Sequence, residues 1–249
     1  MIPRVSCVML TARRRHLVAT AIQCFLDQEY LNRELVVYDN GDSPILDLLP
    51  RDLTGPGRLI RYYSFHGQGR RTIGELRNTA NDVTNGDLIV NWDDDDWSHP
   101  QRLSYQVAGL GDADVGGMHS CLFYDDQGDE PVLWKYEGGQ GSPLGSSLIC
   151  KRSFWRANPY LPLATGSDNF FWEDHHPVTV PGLLASGRCY LIARMHETNA
   201  NREHHDLIRR VWTQDPERIN LVWSQPDDPA TLDRVKALLA RSSNAIQFD

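Results

Sequence analysis

The chain has no long hydrophobic run, no cysteine pairs and no excess of positive charge, and each lack narrows what it can be. No apolar stretch approaches the ~20 residues that cross a bilayer, so no transmembrane segment is expected and only peripheral membrane contact is left open. Cysteine is sparse: Cys7, Cys24, Cys121, Cys150 and Cys189 are scattered, odd in number and without a C-x-x-C spacing. Cys7, Cys121 and Cys150 sit inside apolar runs and read as small core residues, which favours a reducing compartment. The formal net charge of −8 argues against a nucleic-acid-coating surface, so no nucleic-acid partner is expected. Met1-Ile2-Pro3-Arg4 leads straight into a strand-like run with no signal-peptide layout, and the expected location is cytoplasmic. No internal repeat and no low-complexity segment is present. What remains, 41% hydrophobic and 23% charged residues, is ordinary for a soluble globular protein of one large α/β domain or two small ones.

Along the first hundred residues, strand and helix patterns alternate. Val5 to Leu10 is apolar enough for a central strand, the loop Thr11-Ala12-Arg13-Arg14-Arg15-His16 follows, and a helix is expected from about Leu17 to Gln28. Glu34 to Tyr38 reads as a second strand ending in the turn signal Asp39-Asn40-Gly41-Asp42. Strand, helix and strand joined by short links make a βαβ unit and a parallel sheet. Pro50 to Gly57 is a surface connection, Arg58 to Phe65 a short strand, and Gly67 to Arg71 a flexible basic loop. Ile73, Leu76, Ala80 and Val83 then recur at helical spacing.

The most informative stretch is Gly86 to Trp97. A short apolar run, Leu88-Ile89-Val90, reads as a buried strand that ends in Asp93-Asp94-Asp95-Asp96. Extended backbone would turn Asp93 and Asp95 one way and Asp94 and Asp96 the other. Carboxylates this crowded need a cation between them, and oxygen-only donors suit Mg²⁺ or Mn²⁺. A solvated acidic turn, with Ser98 capping a helix that begins near Pro100, is the plainer alternative. The strand-end position favours the metal, because open α/β sheets bind ligands at the carboxyl ends of their strands.

Beyond Pro100 the pattern loosens. A helix carries Leu103, Val107 and Leu110; Val115 to Tyr124 and Val132 to Tyr136 read as strands, and Ser146 to Cys150 as another. Gly138 to Pro143 is a flexible loop, Ser153 to Arg156 a helical turn, and Cys189 to Ala193 the last clear strand, ending at Arg194-Met195-His196. The tail is expected to be helical over about His204 to Trp212 and again from Pro229, with Asp228 as N-cap and Leu232, Val235, Leu238 and Leu239 on the apolar face.

The N-terminal strand, the segment from Gln28 to Asp42, the Arg77-Asn78 pair and the Asp93-x-Asp95 strand end follow one another in an order that resembles the family 2 glycosyltransferases. The resemblance is good over about residues 4–110 and looser to about 200. It implies the GT-A fold: an α/β chain with a Rossmann-like, mixed but mostly parallel central sheet flanked by helices, a smaller acceptor-side sheet and a helical C-terminus. It implies one domain over 1–249, with a nucleotide-binding half (1–100), an acceptor-binding half (101–200) and a C-terminal helical segment (201–249). The implied activity is metal-dependent, inverting transfer of one sugar from a nucleotide-diphosphate sugar, a UDP-sugar by preference, to a saccharide, lipid-linked or other hydroxyl acceptor.

By the same resemblance Thr11, Ala12 and Arg13 correspond to the nucleotide-contacting loop, and Asp39 to the carboxylate on the base or ribose. Arg77, Asn78 and Asp94 fall in the nucleotide-sugar site. Asp93 and Asp95 correspond to the DXD pair, with Asp95 on the metal and Asp93 on the ribose or a metal-bound water. His196 matches a further metal ligand of some relatives, and imidazole suits Mn²⁺ better than Mg²⁺. The catalytic base of the family is the Asp of a Glu-Asp pair. Here Asp168 matches best, although Ser167 stands where Glu is usual, and Asp174 of Glu173-Asp174 is the runner-up. Trp134, Trp155 and Trp172 are candidates for a sugar platform or for core packing. No Gln-x-x-Arg-Trp motif is present, so single addition fits better than processive synthesis.

Two other classes stay open from the residues. A non-catalytic nucleotide-sugar-binding or scaffold protein would keep Asp93 and Asp95 and lose the base. A sugar nucleotidyltransferase would carry a Gly-rich loop after the first strand, and Thr11 to Arg15 contains no glycine.

Overall fold

The computed structural model describes residues 2–54, 59–65, 69, 71–197, 199, 223–224, 226, 228 and 230–244. Its first half builds a parallel sheet from β1 (Val5–Thr11), β2 (Arg33–Asp39), β3 (Leu59–Ser64) and β4 (Leu88–Asn91). β1 pairs in parallel with β2 on one side and β4 on the other, and β2 pairs in parallel with β3. The near-continuous burial of β1, β2 and β4 is what a parallel sheet covered on both faces requires. The crossovers are α1 (Arg15–Leu26) and α2 (Ile73–Asp82). α1 buries Leu17, Val18, Ala21, Ile22, Cys24 and Phe25 against the sheet. α2 starts at a capping box in which the Thr72 hydroxyl accepts from the Glu75 amide and the Glu75 carboxylate accepts from the Thr72 amide.

Three later strands extend the same sheet: β6 (Val115–Met118), β9 (Ile149–Lys151) and β10 (Val178–Val180), giving seven strands in the order β10-β6-β9-β4-β1-β2-β3. β9 runs antiparallel to both β4 and β6, so the sheet is mixed and mainly parallel. A second, five-stranded sheet has the order β12-β8-β7-β11-β5, from β5 (Trp97–Ser98), β7 (Ser120–Asp125), β8 (Val132–Glu137), β11 (Leu191–Met195) and β12 (Trp223–Ser224). Helices α3 (Arg102–Leu110), α4 (Arg152–Ala157), α5 (Ser167–Trp172) and α6 (Ala230–Asn244) complete the described elements. α6 packs on α1 and adds Val235 to the main core; Asp228 caps it through Oδ1, which accepts from the Ala230 amide.

Several expectations change in detail. Val115 to Tyr124 is not one strand: it breaks at His119, and its halves join different sheets. Ser98 does not cap α3 but lies in β5, where its hydroxyl accepts from Arg102 Nη1 at 2.8 Å. Ser146 to Cys150 is a 3₁₀ turn (Gly145–Ser147) followed by the short β9. All five cysteines are free, four of them buried. The expected helix over 204–212 and most of the basic loop 67–71 lie outside the described residues. Among the described residues no helix is long and apolar enough to cross a membrane.

Candidate active site

The carboxyl ends of β1, β2 and β4 open on the same edge of the large sheet, because parallel pairing aligns Thr11 with Asp39 and Val8 with Asn91. β4 stops at Asn91 and the chain turns through Asp94 and Asp95 before β5 begins, so the acidic run is not extended. The two-by-two alternation expected for a strand therefore fails. Asp93, Asp95 and Asp96 converge, each offering an oxygen within 4.8 Å of the others. Asp94 faces β1 and α1 instead.

This turn forms one wall of a cleft of about 700 Å³ between the two sheets. Leu10, Thr11, Ala12, Arg14, Tyr38, Asn40 and Arg77 line it along the large sheet and its helices, with Asp168 and Trp172 of α5 beside them; Leu144, Gly145 and Ser146 add a loop, and Phe123, Tyr136 and Arg194 line it from the small sheet.

Each carboxylate has its own electrostatic setting. Asp95 is 7% exposed, and its Oδ2 accepts from Arg14 Nη1 at 2.6 Å and Asn199 Nδ2 at 3.4 Å and lies 2.8 Å from His196 Nε2. Burial alone would raise its pKa, but the His196 and Arg14 contacts outweigh that and hold it below the ordinary value. Asp94 is buried too, with Arg14 Nη1 3.1 Å from Oδ1; desolvation prevails over that arginine and pushes its pKa up to about 7. Asp96 Oδ1 accepts from the Arg194 amide at 3.1 Å, and burial with repulsion from Asp95 and Asp93 raises its pKa well above the usual range. Asp93, at the mouth, is likewise raised by desolvation, with Arg77 Nη2 3.4 Å away working against the shift.

A divalent cation fits this donor set. Three carboxylates converge, among the described residues, without a cation shared among them all, and two have raised pKa values, so a hard ion would relieve a repulsion the fold has already built in. Asp96 belongs to that set and was not singled out in the sequence; His196 lies against Asp95 and outside the group of three.

The remaining sequence candidates separate by position. Arg77 is buried at the cleft wall, with Nη2 3.4 Å from Asp93 Oδ1 and with Nε and Nη1 enclosed without a hydrogen-bond partner. Thr11 and Ala12 line the cleft. Arg13 does not: its side chain is 72% exposed and pairs with Asp42. Asp39 is fully buried and occupied, since Oδ1 accepts from the Gly41 amide at 2.9 Å and Oδ2 from the Ile45 amide at 3.1 Å and Tyr62 OH at 2.7 Å. It shapes the 40–45 loop as an extended Asx turn and is not part of the cleft lining. Asn78 points away as well, with Oδ1 accepting from Trp155 Nε1 at 3.0 Å and the Tyr160 amide at 2.9 Å. Asp168, at the start of α5, lines the cleft, whereas Asp174 is exposed in the following 3₁₀ turn and does not. Of the three tryptophans only Trp172 lines the cleft; Trp134 and Trp155 are core residues.

A mainly parallel sheet ending in an acidic turn, faced across a cleft by a smaller sheet, defines a glycosyltransferase of the GT-A type. The sequence model of glycosyl transferase family 2 matches residues 6–159, and the chain belongs to that family. No curated protein matches it by sequence. Among solved structures, S. aureus TarS 1–349 in complex with UDP-GlcNAc superposes with a TM-score of 0.59 at 13% identity, covering 98% of this chain and 73% of that one. The mannosyltransferase PcManGT from Pyrobaculum calidifontis, in complex with GDP-Man and Mn²⁺, gives 0.59 at 16% identity, covering 98% and 74%. At these identities the likeness is one of fold.

Proposed function

We propose that this glycosyltransferase transfers a single sugar, with inversion and with the help of a divalent cation, from a nucleotide-diphosphate sugar to an acceptor hydroxyl. The observation that carries the reading is the composition of the cleft: converging Asp93, Asp95 and Asp96 on one wall, the Arg77 guanidinium beside Asp93, and Asp168 in the same cleft. A metal bound at the turn would supply positive charge to the diphosphate as it leaves. The relative crystallised with GDP-Man contains Mn²⁺, which supports Mn²⁺ or Mg²⁺ here. A UDP-sugar and a GDP-sugar are the two donors to compare, since the two similar structures hold UDP-GlcNAc and GDP-Man.

The protein's own residues account for the rest of the chemistry. Arg77 donates to the diphosphate, where negative charge grows as the anomeric C–O bond breaks, so its contact strengthens in the transition state. Asp168 takes the proton from the acceptor hydroxyl, whose oxygen attacks the anomeric carbon from the face opposite the leaving group and inverts it. The bonding pair of the broken C–O bond stays with the diphosphate. Asp168 lines the cleft and Asp174 does not, which favours Asp168 as base and a catalytic protein over a binding-only one. The free cysteines are consistent with a reducing, cytoplasmic setting.

Calorimetric titration of UDP and GDP, with Mn²⁺ and then with EDTA, tests the donor site, and Asp168→Asn tests the base. Nucleotide binding that requires metal, retained in Asp168→Asn while transfer falls by at least ~10²-fold, is the expected result. Metal-independent binding removes the role of the acidic turn, and full transfer by Asp168→Asn removes Asp168 as base.

A further inference from the structure

Arg14 is the cation that bridges Asp94 and Asp95 of the acidic turn. It precedes α1 as N-cap, with φ −117° and ψ 37°, directly after Arg13 at φ +60°, and no side chain caps the helix there. From that loop its guanidinium reaches across to the turn after β4, placing Nη1 3.1 Å from Asp94 Oδ1 and 2.6 Å from Asp95 Oδ2. The side chain is only 21% exposed, and burial opposes its charge; the carboxylates Asp94, Asp95 and Asp93 outweigh that penalty and raise its pKa. Its two neighbours do nothing comparable. Arg13 pairs with Asp42, and Arg15 pairs with Asp47 at 2.5 Å on the surface.

Resting on the metal-dependent reading above, we propose that Arg14 is an internal competitor for the metal: in the free protein its guanidinium neutralises the Asp94–Asp95 edge, and it withdraws when nucleotide diphosphate and cation bind together. A guanidinium and a divalent ion sharing Asp95 repel each other, so metal alone binds weakly while Arg14 holds that carboxylate. A diphosphate changes the balance. It offers Arg14 two phosphate groups suited to bidentate contact, in the same cleft that Arg14 lines, and it adds negative charge that favours the metal. The consequence is an order of binding: the cation is retained with the nucleotide and released with it.

The test reads metal occupancy directly, through loss of the free-Mn²⁺ electron paramagnetic resonance signal on titration with protein. Wild type, Arg14→Gln and Arg15→Gln are compared with and without UDP or GDP. Arg14→Gln is expected to bind Mn²⁺ at least ~10-fold more tightly than wild type without nucleotide, and to gain less from added nucleotide. Arg15→Gln removes the same charge from the same loop but leaves the turn untouched, and is expected to match wild type. Arg14→Lys, with the charge on a shorter arm, is expected to fall between wild type and Arg14→Gln, and carries the test if the glutamine variant does not fold. Equal or weaker Mn²⁺ binding by Arg14→Gln overturns the inference and makes Arg14 a support for Asp95. Equal tightening by Arg15→Gln overturns it as well, since the effect is then one of net charge. If no variant binds Mn²⁺ even with nucleotide, the metal reading itself fails and the competitor role with it.

Discussion

Gly145 is the residue that decides where Asp168 can stand. A Cβ built on Gly145 would lie 1.6 Å from Asp168 Oδ2 and 2.7 Å from its Cγ, so the carboxylate rests in space that only glycine leaves free. Gly145 is held in turn by Asn91 at the end of β4, whose Nδ2 donates to the Gly145 carbonyl at 2.7 Å. The atoms that clash are the end of a side chain and can swing away. Gly145→Ala is therefore expected to fold normally and bind nucleotide with metal as wild type does, while transfer falls about 10²-fold because the proposed base is displaced by an ångström or more. Transfer at the wild-type rate would show that the carboxylate position over Gly145 does not matter to the reaction. Neither this contact nor the choice of Arg14 over Arg13 was legible in the sequence. Three consecutive arginines differ only in where the loop points them, and Gly145 meets Asp168 across 23 positions of chain. Asp39 ends a buried strand as a ligand-binding carboxylate would, and only the structure shows that Tyr62, on the neighbouring β3, donates to its Oδ2. The acidic turn itself could be read, because four carboxylates after an apolar strand are unusual wherever they occur.

Among the elements, α2 shows how the large sheet is coupled to the loop that leads into α5. Its second residue, Gly74, packs so closely on the 161–163 segment that an added Cβ would lie 1.8 Å from the Leu161 carbonyl oxygen and 2.9 Å from its carbon. The Gly74 amide donates to Leu163 O at 3.2 Å across the same contact, and Asn78 one turn later binds both the amide and the carbonyl of Tyr160. Here the obstacle is backbone and cannot swing aside. Gly74→Ala is expected to cost about 1–3 kcal/mol in urea unfolding by overpacking. An unchanged midpoint would mean the two segments do not touch this way. Periodicity found β1, α1, β2, α2, β4 and α3 because each buries one stripe or runs continuously apolar. It missed β10 and β5, which have three and two residues and exist only through pairing with β6 and β11. It also ran β6 into β7, since nothing in a continuous apolar stretch marks His119 as the point where the chain leaves one sheet for the other.

For the molecule as a whole, the join between the two sheets is also the base of the acidic turn, and one buried side chain spans it. Arg102, 1% exposed on α3, donates from Nη2 to the Asn91 carbonyl of the large sheet at 2.9 Å and from Nη1 to Ser98 Oγ of the small one at 2.8 Å. Nη2 also reaches Ser146 O at 2.7 Å, Nε reaches Gln106 Oε1 at 2.9 Å, and the guanidinium lies over Trp92, 4.7 Å from the ring centroid. Every one of these acceptors is neutral. Burial pulls the Arg102 pKa down, and Asp96 and Asp93 are among the groups that work against that shift. Arg102→Met keeps the packing over Trp92 and removes the donors, leaving the Asn91 and Ser146 carbonyls without the bonds that join the halves. The expected loss is about 3–5 kcal/mol in urea unfolding, more than any surface arginine would cost, together with weaker Mn²⁺ retention in the presence of nucleotide as the turn loses its support. A loss below about 1 kcal/mol would mean that the two sheets hold together by apolar packing alone and that Arg102 only fills the space between them.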